Sequence, residues 1–213
     1  MRLFLSSFGL SNDPSALVDL AGPERRAAVI VNALDNFPDA RSRWLSEQTE
    51  SLSNLGFDVA ELDLRDYFGA TPELARYLSD VGLVWINGGN AFILRRGMRQ
   101  SGFDDQIKRL LGRDEIVYAG FSAASVVAGP TLRGFELIDD ALDVPDRYEP
   151  GIVWEGLGLT PSVVAVHFET DNAEGGAMTK VIERLVADET PYVPVRDGQA
   201  LVVNGRQQTV VGA

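Results

Sequence analysis

Apolar residues follow two different periods along this chain. Short apolar stretches at residues 2–7, 27–31, 57–64 and 81–86 read as strands, the last interrupted only by Gly82. Between them the apolar positions recur at helical spacing. Residues 39–54 predict the clearest helix, with Trp44, Leu45, Leu52 and Leu55 in its apolar stripe and Gly56 as its stop. Residues 72–78 predict a shorter helix, and Pro14 after Asp13 marks another start. Strands alternating with helices imply a parallel sheet covered on both faces. The pattern changes towards the end, where 192–195, 200–203 and 208–211 read as short strands. The turns there fall at Asp197-Gly198 and Asn204-Gly205, the second a strong hairpin signal. No repeat, linker or low-complexity tract divides the chain, and 213 residues suit one α/β domain spanning 1–213.

Charge narrows the set of partners. The chain has 19 basic against 31 acidic residues, a net charge of −12. A field of that sign repels phosphate backbones and anionic lipid, so nucleic acid and membrane surfaces are not expected partners. After Arg2, the run Leu3-Phe4-Leu5 is cut off by Ser6-Ser7, too short for a signal segment, and no apolar run approaches a membrane span. The expected location is cytoplasmic. Self-association is left open by the sequence.

Composition also limits the chemistry. There is no cysteine and one histidine, His167, so a cysteine nucleophile, a disulfide framework and a site with two histidine ligands are excluded. One segment carries a specific chemical signal. Ile116-Val117-Tyr118-Ala119 breaks at Gly120 and delivers Phe121-Ser122-Ala123-Ala124 into a helix-prone stretch. A serine in such a strand-to-helix corner projects its hydroxyl above the sheet, and the next backbone N–H, that of Ala123, is free to face an oxyanion. Small residues are needed because the corner is crowded. A serine opening a helix is more often a simple cap, so the corner needs support from elsewhere.

That support comes from two other places. His167 ends the apolar run 163–168, which reads as a buried strand, and open α/β sheets place their sites at carboxyl ends of strands. If an imidazole serves Ser122 as base, it can only be His167. The fourth strand ends in Asn87-Gly88-Gly89-Asn90, ahead of a helix. Neither phosphate-loop pattern is present there, and an amide donor to an oxyanion suits a Gly-Gly pair better.

The ordered set NGGNAF, GFSAAS, AVHF and VRDGQAL resembles the peptidase E family, the aspartyl dipeptidase and cyanophycinase group of serine peptidases. The resemblance spans most of the chain. It implies a three-layer α/β/α sandwich with a mostly parallel central sheet, similar to class I glutamine amidotransferases, and a carboxyl-terminal hairpin region. It also implies a small peptide substrate, hydrolysed from a free amino terminus, with no metal or organic cofactor. Matched residue by residue, Ser122 falls on the nucleophile, His167 on the base, Gly89 and Ala123 on the oxyanion donors, and Asp197 on the acid. The family usually has Ser-Ala-Gly-Ala at the elbow, whereas this chain has Ser122-Ala123-Ala124-Ser125. The extra methyl at Ala124 motivates a rival reading, a catalytically silent ligand- or partner-binding protein. A second rival is an esterase or amidase acting on non-peptide acyl groups.

Residue reasoning alone leaves the acid open among Glu169, Asp171, Asp139, Asp140 and Asp197, and the resemblance selects Asp197. Recognition of an aspartyl side chain would require a cation, with Arg95, Arg133, Arg147 and Arg196 as candidates.

Overall fold

Strand β1 (Arg2–Ser6) is buried from Leu3 onward, and its side chains alternate between two cores. Leu3 and Leu5 face one, Phe4 the other, as the two-residue period of a strand requires. A computed structural model describes residues 1–171 and 173–212, without the side chains of 173 and 174. The remaining elements, in chain order, are α1 (Ser15–Ala21), β2 (Arg26–Ile30), α2 (Pro38–Asn54), β3 (Asp58–Glu61), α3 (Thr71–Leu78), β4 (Leu83–Ile86), α4 (Ala91–Ser101), α5 (Phe103–Gly112), β5 (Val117–Phe121), α6 (Ala123–Ala128), β6 (Val163–Ala165), α7 (Ala173–Ala187), β7 (Tyr192–Pro194), β8 (Ala200–Asn204) and β9 (Gln207–Val211).

Seven strands form one sheet in the order β3-β2-β4-β5-β1-β8-β9. The first five are parallel; β8 and β9 add an antiparallel edge. Helices α1 and α2 cover one face, contributing Leu17, Leu20 and Leu52 to a core around Phe4, Trp85 and Phe121. Helices α3 to α7 contribute to the core on the other face. The mostly parallel sheet between helical layers is therefore as expected. On the first face the Trp85 indole donates to Gln48 Oε1 at 2.8 Å, so the largest ring in that core has its N–H satisfied.

Three segments differ from the sequence reading. The strand expected over 57–64 covers only Asp58–Glu61. Beyond it, Asn32 Oδ1 takes the Leu64 N–H and Asp63 caps a short turn by accepting from Arg65 N, so the backbone leaves the ladder. The apolar run 163–168 contributes only Val163–Ala165, and not to the main sheet. It pairs in parallel with β7 as a separate two-stranded sheet, so Tyr192–Pro194 is not part of the terminal hairpin. Continuous hydrophobicity marks burial on both faces, and here β6 is buried by helices and loops instead of neighbouring strands. The hairpin itself is β8 with β9, closed at Asn204↔Gln207.

Candidate active site

The corner after β5 is shaped by close approaches. A methyl at Gly120 would lie 2.3 Å from the Ile86 carbonyl oxygen and 2.6 Å from the Ala124 methyl, so only glycine fits. Gly88 is also close-packed, since a Cβ there would come within 2.9 Å of Ser122 Cβ. Ser122 itself has φ 52° and ψ −114°, a conformation that costs a non-glycine residue about 1–3 kcal/mol. The strain is held by the main sheet: Ser122 N donates to the carbonyls of Ser6 and Ser7 at 3.2 and 3.1 Å. Ala124 is fully buried, with its methyl occupying the space that a side chain at Gly120 would need. Ser125 Oγ donates to the Ser6 carbonyl at 2.7 Å and ties α6 to β1. Both departures from the usual elbow are thus accommodated on the core side.

His167 reaches the same place by another route. Pairing of β6 with β7 aligns Ala165 with Pro194, and continues as Phe168 N donating to the Val195 carbonyl. Two residues past β6 and three past β7, the His167 ring meets the Asp197 carboxylate. Nδ1 donates to Oδ1 at 2.7 Å, and Nε2 lies 3.2 Å from Ser122 Oγ. An ionised carboxylate can only accept, so it fixes the proton on Nδ1 and leaves Nε2 as the acceptor. The imidazole is buried and Asp197 about one-third exposed.

Ser7 joins all three residues, and sequence reasoning missed it. It follows the last residue of β1, between the ends of β5 and β8, fully buried. Its carbonyl accepts from Ser122 N, its Oγ accepts from His167 N at 2.7 Å, and the same Oγ donates to Asp197 Oδ1 at 2.6 Å. The only hint was a polar pair, Ser6-Ser7, ending an apolar strand. Its partners lie 115 or more residues away and leave no local pattern.

The other acids are placed elsewhere. Glu169 is exposed and pairs with Arg196, and Asp171 is exposed. Asp140 accepts from Leu142 N through its side chain. Asp139 accepts from Ala91 N at the start of α4 and lines a cleft that His167 also lines. Of the candidate cations, Arg95 is buried in a bidentate pair with Asp104 at 2.8 Å, Arg133 stacks over Trp154, and Arg147 lies over Phe68. None of these, nor Arg196, lines the cavities at Ser122.

Two cavities meet at Gly89, Ser122 and His167. One, of about 160 Å³, is closed by Val126, Phe135, Met178 and the Asp139 carboxylate. The other, of about 180 Å³, is walled by Phe8, Trp44, Phe121 and Asn87. Gly89, at φ 132°, is pressed so closely on the Ala33 carbonyl that a Cβ would sit 2.7 Å from that oxygen. Asn90 N anchors to the same carbonyl, and Asn90 Oδ1 caps α4. Among the described residues, no protein acceptor is paired with the backbone N–H of Gly89 or Ala123. Chemically, the arrangement offers a hydroxyl, an acceptor imidazole held by a carboxylate, and two amides beside a cleft. No group of three or more potential metal ligands occurs among the described residues.

Comparison with known proteins identifies the family of the chain. The model of peptidase family S51 matches residues 28–211. A Drosophila melanogaster protein named a probable alpha-aspartyl dipeptidase is 26% identical over 175 residues, covering 80% of this chain and 67% of its own. A solved structure from Listeria monocytogenes EGD-e, named for peptidase E, superposes with a TM-score of 0.80 at 19% identity, covering 100% of this chain and 98% of its own. A peptidase from an acI-B1 Actinobacterium gives 0.63 at 17% identity, with 100% and 87% covered. These structures share the fold, and the family match extends over most of the sequence. The chain belongs to peptidase family S51, a family of serine-type peptidases.

Proposed function

We propose that this peptidase hydrolyses short peptides from a free amino terminus, with Ser122, His167 and Asp197 acting as a triad. The observation that carries the reading is the unbroken chain Asp197–His167–Ser122, at 2.7 and 3.2 Å, beside two amides without protein acceptors. His167 Nε2 takes the Ser122 proton as Oγ attacks the peptide carbonyl. The oxyanion is met by the N–H groups of Gly89 and Ala123, each worth about 3 kcal/mol in the barrier. His167 then protonates the leaving nitrogen, and water releases the acyl group by the reverse sequence. Ser7 is a positioning residue, since it touches the triad and not the substrate.

The first cleft favours an amino terminus over an aspartyl side chain. Asp139 lines this cleft with a charge complementary to an α-ammonium, and none of the four candidate arginines lines it. The aspartyl preference in the Drosophila relative's name is therefore not carried over. A fluorophosphonate probe tests the nucleophile: stoichiometric labelling at Ser122, lost in Ser122→Ala, supports the triad. A peptide library read by mass spectrometry tests the specificity. Cleavage of amino-blocked peptides as fast as free ones would sink the role given to Asp139.

A further inference from the structure

The second cleft differs from the first in kind. Its walls are aromatic: Phe8 meets Trp44 at 6.2 Å and Phe121 at 5.8 Å, both edge-on, and Trp44 meets Phe121 at 5.7 Å. Phe8 is 50% exposed, Trp44 half-buried and Phe121 buried. Behind the rings sits Asn87, 2% exposed. Its Nδ2 donates to the Gly88 carbonyl at 2.8 Å, while its Oδ1 is a buried acceptor with no partner among the described residues. Buried acceptors are nearly always satisfied, and an orphan beside a cavity points to a donor supplied by a ligand.

We infer that this cleft binds the leaving side of the peptide, and selects an aromatic second residue followed by an N–H, a further peptide bond or a terminal amide, instead of a free carboxylate. The inference rests on the reading that the α-ammonium sits at Asp139. With the first residue held there, the scissile carbonyl lies at the junction formed by Ser122 and Gly89, and the leaving residue must enter the other cleft. Ring edges and faces at 5.7–6.2 Å separations suit a further aromatic side chain. A carboxylate finds the wrong chemistry. Among the described residues no Lys or Arg lines the cleft, the Asn87 oxygen would face it lone pair to charge, and the protein carries a net charge of −12. An N–H satisfies the same oxygen. Sites built to hydrogen-bond one ligand group discriminate strongly against ligands that lack it.

Binding to the Ser122→Ala protein, measured by calorimetry, separates this inference from catalysis. Alanyl-phenylalaninamide should bind roughly tenfold more tightly than alanyl-phenylalanine, and also than alanyl-glycinamide. Asn87→Leu should remove most of the amide-over-acid preference. Asn87→Asp, which keeps the size and adds charge, should enlarge it. Equal or tighter binding of the free acid, indifference to the aromatic ring, or no binding of any of the three overturns the inference, as does an unchanged ratio in a folded Asn87 variant. Turnover by the unmodified enzyme reports separately on the peptidase reading. Discriminating binding without hydrolysis sinks that reading alone, and hydrolysis without discrimination sinks this one alone.

Discussion

Ser122 and His167 arrive at the same point with nearly the same positive φ, 52° and 51°, yet two different kinds of structure hold them there. The Ser122 corner belongs to the central sheet. Two carbonyls of β1 and its extension grip its N–H, and glycines at 88 and 120 let neighbouring chains close on it. The His167 corner grows from a two-stranded side sheet and is fastened by a hydroxyl, that of Ser7, and by the Asp197 carboxylate. One corner is set by sterics and backbone hydrogen bonds, the other by side chains brought from distant parts of the chain. The first should fail by misfolding when disturbed, the second by misalignment in a folded protein.

The largest effect should come where the two corners meet. Ser122→Ala leaves the backbone corner and its hydrogen bonds intact, so the protein should fold as before. Its kcat/KM on a short peptide should fall by about 10³-fold or more, because the proposed triad would act as a unit. Retention of more than about a tenth of the rate removes Ser122 from the mechanism.

Asp197→Asn tests the side-chain corner next. The amide keeps the shape, but it removes the charge that stabilises imidazolium and can favour the wrong tautomer. We expect a loss of roughly 10² to 10⁴ in kcat, the upper figure being the known effect in a serine protease whose acid is more buried. Glu169→Gln and Asp171→Asn should stay near the parent rate, since both side chains are exposed and Glu169 is occupied by Arg196. A crippled Glu169→Gln beside a healthy Asp197→Asn would assign the third member wrongly here.

The contrast between the corners also explains what the sequence revealed. A steric corner leaves a local trace: Gly120, Ser122, Ala123 and Ala124 are small residues within five positions, and at Gly120 the space permits no side chain. The parallel sheet was legible for a similar reason, since strands such as Leu83–Ile86 are buried on both faces and must be apolar throughout. His167 was found by elimination, as the single imidazole, while its supports stayed hidden. Ser7 is one serine among many, and only the β1–β5 and β1–β8 registers carry it to His167 and Asp197. The side sheet was misread because β6 is as hydrophobic as a central strand. Asn87 stood inside a recognised motif, but an unsatisfied oxygen has no sequence signature.

Gly120→Ala breaks the steric corner directly. Its methyl would collide with the backbone oxygen of Ile86, which cannot swing aside as a side chain can. We expect a destabilisation of about 2–4 kcal/mol, read as a lower midpoint in urea unfolding. At low denaturant the surviving folded fraction should also be slow, because β4 must separate from β5 beneath Ser122. A variant as stable as the parent would show that the corner is looser than its geometry implies.

Ser7→Ala should have the smallest effect and the most informative one. The change removes no atom that touches substrate, and the main-chain bond from Ser122 to the Ser7 carbonyl survives. What is lost is one acceptor for His167 N and one donor to Asp197. Leaving a buried N–H unpaired costs about 1–3 kcal/mol, so kcat should drop roughly tenfold with KM little changed. A merely structural role predicts lost stability with kcat intact, whereas a positioning role lowers kcat in a protein that is still folded. Full kcat in Ser7→Ala, with stability lost instead, would reduce Ser7 to a packing residue of β1.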